Sequence, residues 1–397
     1  MPESKKHRDH RELGRELDLF SFHEIAPGAP FWHPKGMIIV KELEKYIRKL
    51  QDDHNYTEIS TPIMVKKKLF EQSGHWEFFK ENMFYFDVEN ETYSLKPMNC
   101  PESALLYQTK IRSYRDLPMR LAEIGRLHRN ELSGVLGGLL RVRQMTMDDA
   151  HIYCRFDQIK EELVSVLKMT EEFYKRLDLK VNYGLATRPE KAMGSKEKWS
   201  EAEKILGEAL SELGLKYNIL KGEGAFYGPK IHFDIEDSQK RVWTIATAQL
   251  DFQLPERFEL EYIDENGKSQ RPVIIHRAIF GSFERFIGIL LEHFDGALPF
   301  WLSPVQAAVL TINEKVLSYA QNITAELQSK NIRIELDSRN ETIAKKIREA
   351  EIQRVPYILV IGEKEMKENK VAVRERGKGD LGAMALEDFI KKCLPKS

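Results

Sequence analysis

The chain has 397 residues, of which 42% are hydrophobic and 31% charged, and its formal net charge is −1. A single core rarely grows past about 250–300 residues, so two domains are expected. Three cysteines are too few for a disulfide framework, and no segment approaches the roughly 20 apolar residues of a membrane span. With a net charge near zero, the overall electrostatic field of the protein would not attract nucleic acid. Any binding to nucleic acid would depend on local clusters of Lys and Arg.

Helical periodicity is clearest near the start of the chain. Residues 8–17 and 36–53 are predicted helices, and in the second Ile39, Leu43 and Ile47 recur at helical spacing among charged residues. The next stretch alternates as strands do, with one helix beginning near Pro101. In chain order the further predictions are strands at 84–86, 92–95, 119–128 and 140–153, a helix at 156–177, a strand at 181–186 and a helix at 199–213.

A strand-rich block fills residues 231–279. Within it Glu265-Asn266-Gly267-Lys268, between two alternating runs, predicts a hairpin, since Asn-Gly supplies the positive φ angles that such a turn requires. Strands joined by hairpins favour an antiparallel sheet over the strand–helix alternation of a nucleotide-binding α/β domain. We therefore expect an α+β fold for residues 1–300, in which helices flank an antiparallel sheet.

A second domain is predicted to follow the break at Leu298 to Pro304. Short strands alternate there with helices, so residues 301–397 should form a small α/β domain with a mixed sheet. The predicted strands are 307–311, 333–336, 357–361 and 370–373, and the predicted helices are 313–329, 342–353 and 386–393.

Arginines concentrate in one predicted hairpin. Arg129, Arg141 and Arg143 flank a loop that contains Gly134 and Gly137, and converging guanidiniums suit a polyphosphate because each donates paired hydrogen bonds to anionic oxygens. A solvated basic hairpin is the alternative. A further arginine, Arg285, begins a predicted apolar helix, where a capped core helix with one exposed arginine is the simpler interpretation.

Metal ligands are a second possibility. Cys100, His151 and His276 are one thiol and two imidazoles, a donor set that suits zinc and leaves a fourth position open for a substrate. Their separation in sequence leaves open that each is a packed core residue. No glycine-rich phosphate loop is present.

A series of short segments along the whole chain resembles threonyl-tRNA synthetases, which belong to class II of the aminoacyl-tRNA synthetases, and the segments occur in the same order. The clearest are Leu95 to Pro101, His128 to Glu131, Asp148 to His151, Glu223 to Lys230 and Gln249 to Phe252. The resemblance implies ATP-dependent activation of threonine and its transfer to tRNA(Thr). It also implies a homodimer that forms through the segment ending at Pro62, and a cytoplasmic enzyme without a membrane anchor, as the charged start of the chain suggests.

The same resemblance implies a role for individual residues. Arg129 would bind the α-phosphate of ATP, Arg141 the outer phosphates and Glu131 the adenine, on which Arg285 would stack, with Mg²⁺ accompanying ATP. One zinc ion would be held by Cys100, His151 and His276. Asp149 would accept the threonine hydroxyl, and the remaining substrate residues would be Tyr227, Lys230 and Gln249. Contacts to the anticodon would come from Asn340, Arg348, Arg354, Glu365 and Arg374.

Some positions depart from the common pattern of the family. Met145 stands where an aromatic side chain is usual beside adenine, and Met147 and Thr244 stand where polar side chains are usual. No editing domain is recognised before the catalytic sequence. We therefore expect some serine mischarging, which a separate editing protein could correct.

Two alternatives stay open. A class II synthetase for another amino acid would keep the arginines but has no need for the three metal ligands. A regulatory RNA-binding relative would bind RNA without turning over ATP.

Overall fold

A computed structural model describes residues 8–393. The helices are α1 His10–Glu16, α2 Pro34–Asp53, α3 Lys67–Ser73, α4 His75–Phe79, α5 Cys100–Gln108, α6 Ile159–Lys175, α7 Lys196–Glu212, α8 Gln253–Arg257, α9 Phe283–His293, α10 Leu317–Ser329, α11 Ile343–Ile352, α12 Glu363–Glu368 and α13 Leu386–Cys393. The strands of the first two thirds are β1 Phe20–Ser21, β2 Phe31–Trp32, β3 Thr57–Glu58, β4 Met64–Lys66, β5 Tyr85–Val88, β6 Glu91–Leu95, β7 Arg112–Ser113, β8 Met119–His128, β9 Gln144–Cys154, β10 Val181–Ala186, β11 Tyr217–Leu220, β12 Lys230–Glu236 and β13 Val242–Asp251. The others are β14 Tyr262–Ile263, β15 Ser269–Gln270, β16 Val273–Ser282, β17 Ala307–Thr311, β18 Ile334–Asp337, β19 Tyr357–Ile361, β20 Val371–Glu375 and β21 Gly379–Met384.

These residues form two compact units. The larger comprises residues 22–30 and 44–289, and the smaller comprises 8–21, 31–43 and 290–393. No helix among the described residues is long and apolar enough to cross a membrane.

The larger unit is built on an eight-stranded sheet in the order β11-β10-β12-β13-β16-β9-β8-β3. All pairings are antiparallel except those at the two edges, β10 with β11 and β3 with β8. Helices α6 and α7 pack on the sheet, and Phe173 of α6 forms a buried aromatic cluster with Phe280 of β16 and Phe286 of α9. The predicted antiparallel sheet with flanking helices is confirmed.

The smaller unit contains the predicted mixed sheet, in the order β18-β17-β19-β20-β21. Strand β17 runs parallel to β18 and β19, whereas the β19–β20 and β20–β21 pairings are antiparallel. Its core includes Val309, Leu327, Leu359 and Phe389, which are fully buried. Helices α10 and α13, both predicted from the sequence, contribute buried apolar side chains to this core.

Several details differ from the sequence predictions, including short strands and helices that were not predicted. Strand β9 begins at Gln144 and not at residue 140, because Gly138–Leu140 form a short 3₁₀ helix that buries Leu139. The hairpin at 265–268 is present, but only Gly267 has a positive φ, of 75°, because a turn closed by the Gly267 N–H to the Asp264 carbonyl needs one left-handed residue. The carboxylate of Asp264 also accepts the N–H groups of Asn266 and Lys268. Strand β11 was not predicted because its four residues carry no clear alternation.

Candidate active site

Four predicted site residues lie in one row across the large sheet. Lys230 on β12 pairs with Gln249 on β13, Gln249 pairs with His276 on β16, and His276 pairs with His151 on β9. Directly paired residues on neighbouring strands project to the same face. The row therefore brings together side chains that are up to 125 positions apart in sequence.

A second row lies beside the first on the same face, because residues two apart on a strand share a face. It runs from His232 through Thr247 and Ala278 to Asp149. The Nδ2 of Asn99 donates to Oδ2 of Asp149 at 3.0 Å. His232, Thr247 and Asn99 were not predicted as site residues. The i, i+2 spacing of His232 from Lys230 and of Thr247 from Gln249 is the signal that could have found two of them.

The three predicted metal ligands converge at one end of the first row. Cys100, at the start of α5, offers its Sγ within 4.8 Å of one nitrogen from each of His151 and His276. The Nε2 of His151 is buried and has no hydrogen-bond partner. Burial raises the pKa of the Cys100 thiol and, more strongly, lowers that of the His151 imidazole. An unpartnered buried nitrogen beside a thiol and a second imidazole fits a bound zinc ion.

Tyr227 closes this end of the site. Its hydroxyl donates to Oε1 of Gln249, and its ring centroid lies 5.6 Å from that of His276. Loss of solvent raises the pKa of Tyr227 well above its ordinary value. The phenol therefore stays protonated at neutral pH and keeps Gln249 oriented.

The predicted ATP residues form a positive cluster, and the charge of Arg129 interacts with Cys100, Asp149 and Tyr227. The Nε of Arg141 donates to Oε2 of Glu131 at 2.9 Å, and the Nε of Arg129 donates to the Pro97 carbonyl at 3.2 Å. Desolvation lowers the pKa of Arg285, and the like charges of Arg141 and Arg129 lower it further. Three guanidiniums that repel one another beside one carboxylate favour a polyanion.

A buried aspartate holds the segment that carries Arg285. Asp148 is fully buried on β9, and its carboxylate accepts three consecutive backbone N–H groups at 2.8–3.3 Å. These donors belong to Ile279, Phe280 and Gly281, where the pairing of β16 with β9 shifts register. The chain then enters α9 through Gly281, whose φ is 73°. This clamp, which sequence reasoning missed, fixes where α9 begins, two residues before Arg285.

Met145, Met147 and Thr244, which depart from the family pattern, each have specific contacts in the structure. Met145 is buried in a cluster with Leu127 and Val142, against which Met147 packs. The hydroxyl of Thr244 donates to Oδ1 of Asp234 at 2.6 Å. The guanidinium of Arg285 lies 5.9 Å from the ring centroid of Trp243, so an aromatic platform for Arg285 comes from β13.

The five predicted anticodon residues lie in the smaller unit. Asn340 and Arg348 are exposed. Arg374 lies 3.9 Å from Glu351 and 3.8 Å from Asp380. The other two have contacts within the unit, because Arg354 pairs with Asp295 at 3.2 Å and Glu365 accepts the Gly362 N–H at 3.0 Å. Asn340 and Arg348 are therefore the freest of the five to meet a ligand.

Comparison with known families agrees with this architecture. Residues 84–294 match the family described as the tRNA synthetase class II core domain (G, H, P, S and T), and residues 306–396 match the family described as the anticodon binding domain. The fold and the site therefore define a class II tRNA synthetase core, which is the family of the first match.

Similar proteins narrow the class. The chain is 52% identical over 392 residues to a threonine–tRNA ligase of Carboxydothermus hydrogenoformans and 53% identical over 390 residues to one of Desulforamulus reducens. These matches cover 99% and 98% of this chain, and 62% and 61% of those relatives.

Two solved structures are also similar. The RNA binding domain of threonyl-tRNA synthetase from Cryptosporidium parvum Iowa II has a TM-score of 0.93 at 44% identity, and the matched regions cover 97% of this chain and 98% of that one. A threonyl-tRNA synthetase structure from Aeropyrum pernix has a TM-score of 0.86 at 31% identity, with 97% and 95% covered.

The chain belongs to the threonyl-tRNA synthetase family. It spans about three fifths of the length of the curated relatives that it matches.

Proposed function

We propose that the chain activates L-threonine with ATP and transfers it to the 3′ end of tRNA(Thr). One observation carries the proposal. A single face of the sheet presents Asp149, His151 and His276, and the thiol of Cys100 at the start of α5 converges on the two imidazoles. The arginine cluster supplies the complementary site for the phosphates of ATP.

Cys100, His151 and His276 would hold one zinc ion per chain. Bound there, zinc would supply a Lewis acid that could interact with the amino and hydroxyl groups of threonine. Asp149, held by Asn99, would accept the hydroxyl proton of the same substrate. Valine has no hydroxyl group and would leave these buried polar groups unpaired, so the site would reject it. A purely apolar pocket would distinguish threonine from valine only weakly, because the two side chains have nearly the same shape.

Activation requires that the threonine carboxylate attack the α-phosphorus of ATP, with pyrophosphate as the leaving group. Arg129 would neutralise charge on the α-phosphate, and Arg141, which is 55% exposed, could reach the outer phosphates with Mg²⁺. Arg285 would stack on adenine while Trp243 supports its other face. Lys230, Gln249 and Tyr227 would line the side of the threonine pocket opposite Asp149.

Transfer would follow when a hydroxyl of the 3′-terminal adenosine of tRNA attacks the threonyl carbonyl and AMP leaves. We assign catalysis to residues 1–300 and anticodon recognition to residues 301–397. Asn340 and Arg348, and after them Arg374, would meet anticodon bases, since Arg and Asn suit the edges of splayed single-stranded bases. Arg354 and Glu365 would have to exchange a contact within the unit for a contact to RNA. The cytoplasm, where tRNA, ATP and threonine meet, is the proposed location.

A homodimer is part of the proposal. The sheet β4-β6-β5 and the segment before it expose a group of large apolar side chains, each between 40% and 49% exposed: Ile63, Met64, Tyr85, Phe86 and Val88. Such patches on soluble proteins commonly mark an interface. Phe86→Asp should shift the mass measured by light scattering from dimer to monomer, whereas Ile219→Asp, at an exposed apolar site on β11, should leave it unchanged.

The full reaction tests the proposal. Purified protein should attach labelled threonine to tRNA(Thr) in the presence of ATP and magnesium. Charging with glycine, histidine, proline or serine in place of threonine would indicate another class II specificity. Binding of tRNA without charging of any amino acid would indicate a regulatory RNA-binding relative.

A further inference from the structure

One carboxylate outside the ligand set contacts the proposed metal centre. Asp251 ends β13, two residues after Gln249, and is 4% exposed. Its Oδ2 lies 2.9 Å from Nε2 of His276. Its Oδ1 accepts the backbone N–H groups of Gln253 at 2.7 Å and Leu254 at 3.0 Å.

These contacts restrict both partners. Two backbone donors on Oδ1 leave the carboxylate little freedom to rotate, so Oδ2 stays directed at His276. A buried carboxylate oxygen accepts a hydrogen bond, and Nε2 of His276 must therefore carry the proton. The lone pair of a neutral His276 is then on Nδ1, the nitrogen that does not face Asp251.

We propose that Asp251 is a positioning residue for the metal centre, which holds the Nε2–H tautomer of His276 so that Nδ1 is the ligand atom beside Cys100 and His151. This inference rests on the proposed zinc site. Ligating imidazoles that donate their second N–H to a carboxylate are fixed in ring orientation and are more basic ligands. The backbone at the start of α8 thus holds Asp251, and Asp251 in turn orients the ring of His276.

The chain supplies a matched control. Asp237 is also buried, accepts backbone N–H groups of Gln239 and Arg241 on Oδ1 at 2.8 and 3.0 Å, and accepts the ring N–H of Trp243 on Oδ2 at 2.8 Å. Its Oδ2 also accepts the Nε–H of Arg241 at 2.7 Å, so Asp237 likewise combines backbone contacts on one oxygen with side-chain contacts on the other, without a metal ligand. Asp237→Asn should therefore reproduce the general cost of replacing such an aspartate.

The experiment is a competition between the full-length protein and a chromophoric chelator for zinc. Asp251→Asn should raise the dissociation constant for zinc about 10–100-fold, and Asp237→Asn should change it less than twofold. If wild-type protein binds one zinc ion and Asp251→Asn binds it equally tightly, the inference is wrong while the proposed zinc site stands. If wild-type protein binds no zinc, both fail.

A second measurement needs no variant. With ¹⁵N-labelled histidine, NMR of the zinc-loaded wild-type protein distinguishes a protonated from a metal-bound ring nitrogen. We expect His276 to show a protonated Nε2 and a zinc-bound Nδ1. A zinc-bound Nε2 would overturn the inference, even if Asp251→Asn fails to fold.

Discussion

The adjacent residues Asp148 and Asp149 have different environments because strand alternation sends their side chains to opposite faces of β9. Asp149 lies in the second row of the site beside Asn99. Asp148 is fully buried and accepts three backbone N–H groups from β16. A one-residue shift of β9 would exchange these environments and remove both His151 and Asp149 from the site.

Arg129 provides the most direct test at the residue scale. Arg129→Lys keeps a positive charge but loses the paired donors of the guanidinium, so we expect threonine-dependent exchange of pyrophosphate into ATP to fall about 10²–10³-fold in kcat/KM. Arg155→Lys, at a half-buried arginine paired with Asp157, should stay within twofold of wild type. An equal loss in both variants would mean that the effect is not specific to the phosphate site.

At the scale of elements, the junction between β16 and α9 sets the position of Arg285. A Cβ at Gly281 would lie 3.1 Å from the Ile245 carbonyl, and φ there is 73°. Gly267 has a similar φ of 75°, but a Cβ there meets no atom within 4 Å.

The two glycines give a paired prediction. Both Gly281→Ala and Gly267→Ala should lower the free energy of unfolding by about 1–2 kcal/mol because each forces alanine into a left-handed conformation. Only Gly281→Ala should raise the KM for ATP, by roughly tenfold, since it displaces Arg285. If both variants are shown to be folded and their KM values for ATP are equal, this role of the junction is contradicted.

Glu284 joins α9 to β9 and should give stability a pH dependence. It is 4% exposed, accepts the Thr146 N–H at 2.9 Å, and burial raises its pKa from 4.5 to about 7. The folded protein therefore holds an extra proton between these values, and the free energy of unfolding should fall as the pH rises through that window.

Glu284→Gln removes this titration. At pH 8 the variant should be more stable than wild type by about 1–3 kcal/mol, and the advantage should vanish near pH 4.5. Urea unfolding at several pH values measures this difference. Glu161→Gln, at an exposed position on α6, should follow the wild-type curve, and a Glu284→Gln curve parallel to wild type would refute the assignment.

Local elements were predictable where periodicity is strong. Ile39, Leu43 and Ile47 predicted α2, and the alternation of residues 119–128 predicted β8 with its observed ends. The rows of the site were not, because the register between β12, β13, β16 and β9 is set by non-local packing and by the bulge that Asp148 holds. Resemblance supplied Lys230, Gln249 and Asp149 individually, but not their neighbours His232 and Thr247.

At the scale of the whole molecule, threonine activation is proposed for residues 1–300 and anticodon recognition for residues 301–397. Arg348→Ala should lower kcat/KM for aminoacylation about tenfold through the KM for tRNA, while exchange of pyrophosphate stays unchanged. Lys330→Ala should affect neither reaction, since Lys330 precedes β18 and Asn340 follows it, so the two residues lie at opposite ends of that strand. Loss of exchange in Arg348→Ala would contradict the division.

The most direct test of the account is threonine-dependent exchange of pyrophosphate into ATP, measured with the zinc content of the same preparation. We predict one zinc ion per chain, exchange with threonine and not with valine, loss of exchange after chelation, and recovery on adding zinc. Zinc-replete protein that gives no exchange with threonine, or exchange that is indifferent to zinc, would contradict the account.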